Sequence, residues 1–437
     1  MLLAGLCACG GPLRRDQPWV AEQLAARTGA ASRGTDEEDG PLPPGVAVED
    51  GLSEDEAVAV ALWRNAAFAE ALAALGFGRA DVLQAGLLSN PVFSILFPLG
   101  AKQLEFVVKL PAEALLLRPK RLAVARLEGD RIAERLVQSG LDVVRDVRVG
   151  WAEARRAVAK AGVAGEALRL RTRIADITGA KRAAGDASAL EVESARANAA
   201  LAREDLVRLE GDSRVAEARL RVLIGLPSND IVLHLDGAPS GADVHASDEV
   251  LRDSALAARP DVRAAELAVD AAEARGKLSR WEVVQFSGLA DANGKGSKGF
   301  EIGPGLDVTL PVLNWNQGGM ARAEADEVRA RRQLDLVRQR VELEVREAHV
   351  RLESAGAQLA ALRTDSLTRL ESAEKAAAAA YRAGDSSLLV LLQTTHELLT
   401  ARGREVDAMA ELARAHAELE RSIGHRLDTP PPEVGRP

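Results

Sequence analysis

Residues Gly299 to Gly319 read GFEIGPGLDVTLPVLNWNQGG, and the spacing of their apolar side chains changes partway along. Phe300, Ile302, Pro304, Leu306, Val308 and Leu310 alternate with Glu301, Gly303, Gly305, Asp307 and Thr309. Alternation by two is the mark of a two-faced β-strand. Pro311 ends the alternation, and Asn314-Trp315-Asn316 with Gly318-Gly319 supply turn chemistry. From Met320 the chain is rich in Ala, Glu and Arg at helical spacing for about sixty residues. A strand feeds a very long helix.

The same change occurs earlier, where Leu104, Phe106, Val108 and Leu110 alternate with Gln103, Glu105, Val107 and Lys109 before Pro111. Arg118-Pro119-Lys120 then leads into another Ala/Arg/Glu helix. Leu110-Pro111 and Leu310-Pro311 are 200 residues apart. Ala184-Gly185-Asp186 and Ala383-Gly384-Asp385 are 199 apart, an offset that also aligns Ala202-Arg203 with Ala401-Arg402 and Ile224-Gly225 with Ile423-Gly424. The chain is a tandem duplication.

Length and composition agree with this. The 437 residues are 47% hydrophobic but only 3% aromatic, so the apolar mass is Ala, Leu and Val, which suits closely packed long helices. A net charge of −9, from 56 basic and 65 acidic residues interleaved along the helices, forms solvated faces and contains no basic block for nucleic acid. No uncharged apolar run reaches 18 residues, so strands are the remaining route into a membrane.

Both cysteines, Cys7 and Cys9, lie at the start. The stretch from Met1 to Gly10 reads as the end of a secretory signal with a lipobox before Cys9, the expected lipidation site (1–9). Residues 10–48 then read as a tether. The first repeat is expected over 49–236 and the second over 237–426, with a disordered tail at 427–437.

In the first repeat, Ser53-Glu54-Asp55-Glu56 is a capping box opening a helix to about Leu75. Asn90-Pro91 opens a strand from Val92 to Leu99 that turns at Gly100 into the Gln103 strand, a hairpin over about 90–111. In the second, a helix begins near Ser247 and runs through Arg259-Pro260. The hairpin lies at about 283–311, with Asn293 to Gly299 as its loop.

Four strands of about ten residues have the length of membrane-crossing strands, apolar on one face and polar on the other. They are too few to close a barrel, so closure requires several chains. A soluble two-sided sheet has the same alternation, but helices too long for a compact domain flank each hairpin.

From Leu334 the positions Val337, Val341, Val345, Ala348, Leu352, Ala355, Leu359 and Leu362 form one stripe. Leu336, Leu343, Val350 and Ala357 form a second with a period of seven, which means neighbours on two sides. At about 1.5 Å per residue the helix from Met320 to Ala380 spans on the order of 90 Å. Gly185 and Gly384 supply left-handed helix ends, in turns at 184–190 and 383–389. Asp186 and Asp385 are positioned to cap the helices that follow.

This arrangement resembles the TolC family of outer-membrane efflux proteins over about Leu52 to Gly424. The resemblance is carried by Asn90-Pro91, by Gly299 to Gly305 with Leu310-Pro311 and Asn314 to Gly318, and by Tyr381-Arg382-Ala383-Gly384-Asp385 leading to Leu388 and Leu391. Leu115-Leu116-Leu117-Arg118-Pro119 departs from the polar, Gly-containing turn of the family. The resemblance implies a mainly helical fold with a β-part: a homotrimer with a twelve-strand barrel in outer-membrane lipid and a twelve-helix α-barrel across the periplasm of a Gram-negative cell. It also implies docking onto a periplasmic adaptor (membrane fusion protein) and an inner-membrane pump of the RND type. The Gly-Pro-Gly and Asn-Trp-Asn-Gln-Gly segments are most similar to the family's metal-efflux branch.

In that family acidic side chains after the Gly turn line a periplasmic gate. The gate candidates here are Asp186, Glu191 and Glu193 with Asp385, while Val390 and Leu392 take the matching places in the second repeat. A ring of such acids would favour cations. They also read as exposed carboxylates favoured by the helix dipole. Gly185, Gly384 and Asp385 mark the expected adaptor-docking turns.

The six histidines, His234, His245, His349, His396, His416 and His425, are scattered and include no i, i+4 metal pair. Neither a nucleophile elbow nor a phosphate loop is present, so neither an enzyme nor a cofactor is expected. The expected function is a passive efflux conduit. The alternatives are an outer-membrane channel for type I protein secretion and a coiled-coil interaction protein that forms no pore.

Overall fold

A computed structural model describes residues 13–30, 42–43, 45–47, 51–97, 104–226, 233, 235, 246–294 and 299–429. Cys9 with its lipobox, most of the 31–50 stretch, the first hairpin's tip, His234, His245 and residues 430–437 lie outside them. By contacts the chain forms two units. One contains residues 1–20, 70–138 and 260–340, the other 21–69, 139–259 and 341–437. Each unit draws on both repeats.

The first unit contains one antiparallel sheet: β1 (Val92–Leu96), β2 (Glu105–Pro111), β3 (Gln285–Gly294) and β4 (Phe300–Thr309), in the order β1-β2-β3-β4. The two expected hairpins are present and fused. Phe106 opposes Ala292 and Leu110 opposes Gly288, so the last strand of one repeat pairs with the first strand of the other. Two boundaries differ from expectation. Among the described residues β1 stops at Leu96, and β3 continues to Gly294 through part of the expected loop.

The Asn314-Trp315-Asn316 motif has a structural explanation. Asn316 adopts a left-handed φ of 62°, and its amide donates to the Ser279 carbonyl at 2.9 Å. A Cβ at Gly319 would lie 2.3 Å from the Asn316 Oδ1, so this asparagine requires glycine three residues on. After it the chain turns into α9 (Gln317–Ala361).

The N-terminal helices are more broken than their sequence suggests. α1 (Gln17–Thr28) lies inside the stretch expected to be a tether. It is ordered because Leu24 is fully buried, seated where a Cβ on Gly140 would come within 2.5 Å. α2 (Glu54–Arg64) has the expected capping box, Ser53 with Glu56, but ends at Asn65. The Asn65 side chain accepts from Phe68 N–H at 2.9 Å, starting α3 (Ala66–Leu72), and α4 (Ala74–Gly86) follows.

α5 (Glu113–Ala184) is a single 72-residue helix that begins before Pro119 rather than after it. A proline near a helix start removes few backbone bonds, so the first turns tolerate it. α6 (Ala189–Leu223), α7 (Asp248–Ala258) and α8 (Pro260–Trp281) follow. After α9 comes a π-helical turn at Leu362–Leu367, then α10 (Thr368–Ala383) and α11 (Leu388–Ile423). The Thr364 and Thr368 hydroxyls donate to the carbonyls of Ala360 and Arg363, which helps satisfy the backbone around the widened turn.

In the second unit the expected first stripe is core: Val341, Val345, Ala348, Leu352, Ala355 and Leu359 are buried. The second stripe is not, since Leu336, Leu343 and Val350 are exposed. Helix ends here are held by arginines. Arg27 donates to the Ala258 carbonyl at 2.8 Å, and the fully buried Arg259 donates to Ser422 O at 3.1 Å and to Glu344 at 2.7 Å. Cations at carbonyl-bearing helix ends oppose the helix dipole.

Candidate channel faces and helical tips

The sheet has two chemically distinct faces. Alternation and register put Phe93 and Ile95, Phe106, Val108 and Leu110, and Ile302, Leu306 and Val308 on one face. Most of these side chains are exposed, Ile302 at 76%. Phe93 stacks on Phe106 with centroids 6.0 Å apart, and Phe106 meets Phe300 at 5.5 Å, reaching over the small Ala292–Gly294 segment. An apolar sheet face this extensive is unlike the surface of a water-soluble monomer.

The opposite face carries Glu105, Lys109, Ser287, Asp291, Asn293, Glu301, Asp307 and Thr309. Lys109 Nζ reaches across β3 to Asp307 Oδ2 at 2.9 Å. Asn293 donates to Asp291 at 2.7 Å. The outer edges of β1 and β4 have no strand partner among the described residues.

The two helical tips are built alike. Gly185 (φ 91°) and Gly384 (φ 89°) end α5 and α10 in left-handed conformation. The Asp186 N–H donates to the Lys181 carbonyl at 2.8 Å and that of Asp385 to the Ala380 carbonyl at 2.9 Å. Gly185 and Gly384 N–H groups bond the carbonyls of Arg182 and Tyr381. These are paired Schellman ends. The space beside both glycines is open.

The aspartates do not cap the following helices, contrary to the sequence expectation. The caps are Ser188 and Ser387, two residues further on. A helix cap must sit one residue before the first turn, and each Schellman end uses its aspartate's backbone instead. The Ser188-x-x-Glu191 spacing in the sequence was the signal for this cap.

Glu191 completes that capping box, accepting from Ser188 N–H at 2.7 Å. Those bonds from Ser188 hold its carboxyl below the usual glutamate range. Glu193 pairs with Arg196 at 3.0 Å, both exposed. In the second repeat Val390 takes the Glu191 place and stands exposed next to Leu389. The structure thus gathers Asp186, Glu191 and Glu193 at one turn and Asp385 at the other. Behind the turns Thr178 and Tyr381 share a 3.0 Å hydrogen bond, and Ile174, Ala195, Ala377, Tyr381, Leu388 and Leu391 form a buried cluster.

Among the described residues no group of three or more His, Cys, Asp or Glu could hold a metal ion, and no single helix is long and apolar enough to cross a membrane.

Residues 251–425 match the family model described as outer membrane efflux protein. Among solved structures the chain is similar to the outer-membrane channel OprN, with a TM-score of 0.73, 19% identity, and coverage of 91% of this chain and 97% of that one. It is similar to CusC at 0.70 and 18%, covering 90% and 99%, and to VceC of Vibrio cholerae at 0.71 and 17%, covering 86% and 97%. No curated protein matches by sequence. The second repeat thus carries the match to the outer membrane efflux protein model, and the chain as a whole shares the fold of these outer-membrane channels.

Proposed function

We propose that this protein is the outer-membrane channel of a tripartite efflux system, a homotrimer through which substrate passes passively from an inner-membrane pump and periplasmic adaptor to the exterior. The observation that carries the reading is the sheet: four antiparallel strands, one face exposed and apolar, the other charged, and both edges without a strand partner among the described residues. In lipid an open edge costs several kcal/mol per unpaired backbone group, so β4 of one chain joins β1 of the next until twelve strands close. The apolar face then meets lipid and the Lys109–Asp307 face lines the pore.

The paired turns at Gly185 and Gly384 are the docking points for the adaptor's helices, with Asp186, Glu191, Glu193 and Asp385 around the periplasmic mouth. Acylation at Cys9 anchors the chain to the same membrane. An RND-type pump supplies the driving force, and the channel itself performs no catalysis.

Single-channel conductance of the purified protein in a planar bilayer tests the reading. Cation-selective current is expected, with selectivity reduced in Glu191→Gln/Glu193→Gln. A protein that stays monomeric and soluble and carries no current would rule the conduit out.

A further inference from the structure

Between α5 and α11 runs a groove lined by Trp151, Val406, Met409 and Ala410, with Glu54, Arg155 and Arg156 among its charged residues. Glu54 is held by Arg148 at 3.7 Å, and Arg156 by Glu153 at 2.8 Å and Asp407 at 3.1 Å. Arg155 differs. It is partly buried and, among the described residues, has neither a hydrogen bond nor an ion pair. An unpaired guanidinium lining an apolar groove is costly, and a carboxylate brought to it relieves the cost.

The chain itself arrives close by. After the left-handed Gly424 (φ 84°) that ends α11, the Arg426 N–H bonds the Arg27 carbonyl at 3.0 Å and its guanidinium reaches Asp55 at 3.3 Å. The Leu427 N–H donates to Glu420 Oε1 at 3.1 Å, so the chain has doubled back beside the last turn of α11. Beyond Thr429 the sequence continues Pro430-Pro431-Pro432-Glu433-Val434. The pairs Glu153–Arg414 and Lys160–Asp407 set the register of the two helices and put Arg155 level with Leu412. From Glu420 to Leu412 is eight residues of helix, roughly 12 Å. From Leu427 to Glu433 is six residues, which reach about 19 Å in the polyproline conformation. The carboxylate therefore has the length of chain it needs.

We propose that residues 430–434 lie along this groove of their own chain, the prolines against Trp151, Met409 and Ala410 and the Glu433 carboxylate on the Arg155 guanidinium. A polyproline segment loses little conformational freedom on docking and suits a groove with an aromatic wall. The tail becomes a strap across the α5–α11 joint. This inference goes beyond the conduit reading and does not depend on it.

Disulfide trapping of the full chain in membranes tests it, with Cys7 and Cys9 retained in every variant. Val434→Cys/Met409→Cys is expected to form an oxidant-dependent bond within one chain, read by peptide mapping. Val434→Cys/Val207→Cys, whose second site is exposed on α6, is expected to form none. A Val434–Met409 bond that joins two chains gives the groove to a neighbour's tail and overturns the proposal. Absence of the bond in a protein of unchanged helical ellipticity overturns it as well and leaves the groove to another occupant.

Charge exchange checks the ion pair. Glu433→Arg, placed in the tail where it disturbs none of the described helices, should lower the yield of that bond about threefold. Adding Arg155→Glu should restore most of the loss. An unchanged yield in the first variant, or no recovery in the combination, overturns the contact between Glu433 and Arg155.

Discussion

His416 on α11 is buried beside the Arg148 and Arg426 guanidiniums, with Glu420 and Asp428 near. Burial first, then those two cations, lowers its pKa from 6.5 to about 4. Above pH 6.5 the imidazole is neutral whether the chain is folded or unfolded, and the shift contributes nothing. As pH falls from 6.5 toward 4, the unfolded chain takes a proton that the folded chain refuses, so stability declines. The loss approaches on the order of 3 kcal/mol below pH 4. Replacing His416→Gln should therefore reduce the drop in unfolding temperature between about pH 7.5 and about pH 4.5. An unchanged drop would mean that other groups control the acid response. Ser188 offers a second residue-scale test. Ser188→Ala removes a capping-box acceptor and should weaken the start of α6 by about 1 kcal/mol. Amide exchange over residues 189–192 should quicken about fivefold, and unaltered exchange would show that the cap contributes little.

Glycines at the ends of the long helices separate two physical effects. Gly185 and Gly225 both have positive φ, 91° and 75°. A Cβ at Gly185 meets open space, whereas at Gly225 it would lie 2.5 Å from the Arg64 carbonyl oxygen. Gly185→Ala should cost only the left-handed strain of about 1–2 kcal/mol. Gly225→Ala adds a backbone collision and should destabilise clearly more, because two segments, 64 and 225, cannot both keep their places. Denaturant unfolding followed by helical ellipticity ranks the two, and equal losses would contradict the close approach. The offset that relates Gly185 to Gly384 also relates Gly225 to Gly424, so each long hairpin both turns and ends on a left-handed glycine.

Across the whole molecule, the two faces of the sheet make opposite demands. Ile302 and Leu306 stand on the apolar face and Asp307 on the charged one. With the apolar face in lipid, Leu306→Lys places an ammonium in hydrocarbon at about 2–4 kcal/mol near the midplane. Asp307→Asn keeps its side of the sheet polar. The expected outcome is loss of Leu306→Lys from the urea-resistant outer-membrane fraction while Asp307→Asn remains. Equal retention of both variants would argue that the apolar face is covered by protein rather than lipid.

The strand alternation at Phe300–Leu310, the duplication and the helix ends at Gly185 and Gly384 were legible in the sequence, because periodicity and left-handed glycine are local properties of the chain. Hence the mainly helical fold with four strands followed from spacing, while the resemblance to efflux channels was carried by particular motifs, Gly299 to Gly318 and Tyr381 to Asp385. Other features depended on contacts between distant residues. Pairing of β2 with β3 joined the repeats into one sheet. Leu24 over Gly140 ordered a helix where the sequence suggested a tether. Pro119 was accommodated inside a helix rather than ahead of it. The stripes on α9 show the division most clearly: the sequence placed both, and only the tertiary structure decided that Val341 and Val345 are core while Leu343 and Val350 stand open. Spacing fixes which side chains share a face, but burial depends on what the rest of the fold brings against it.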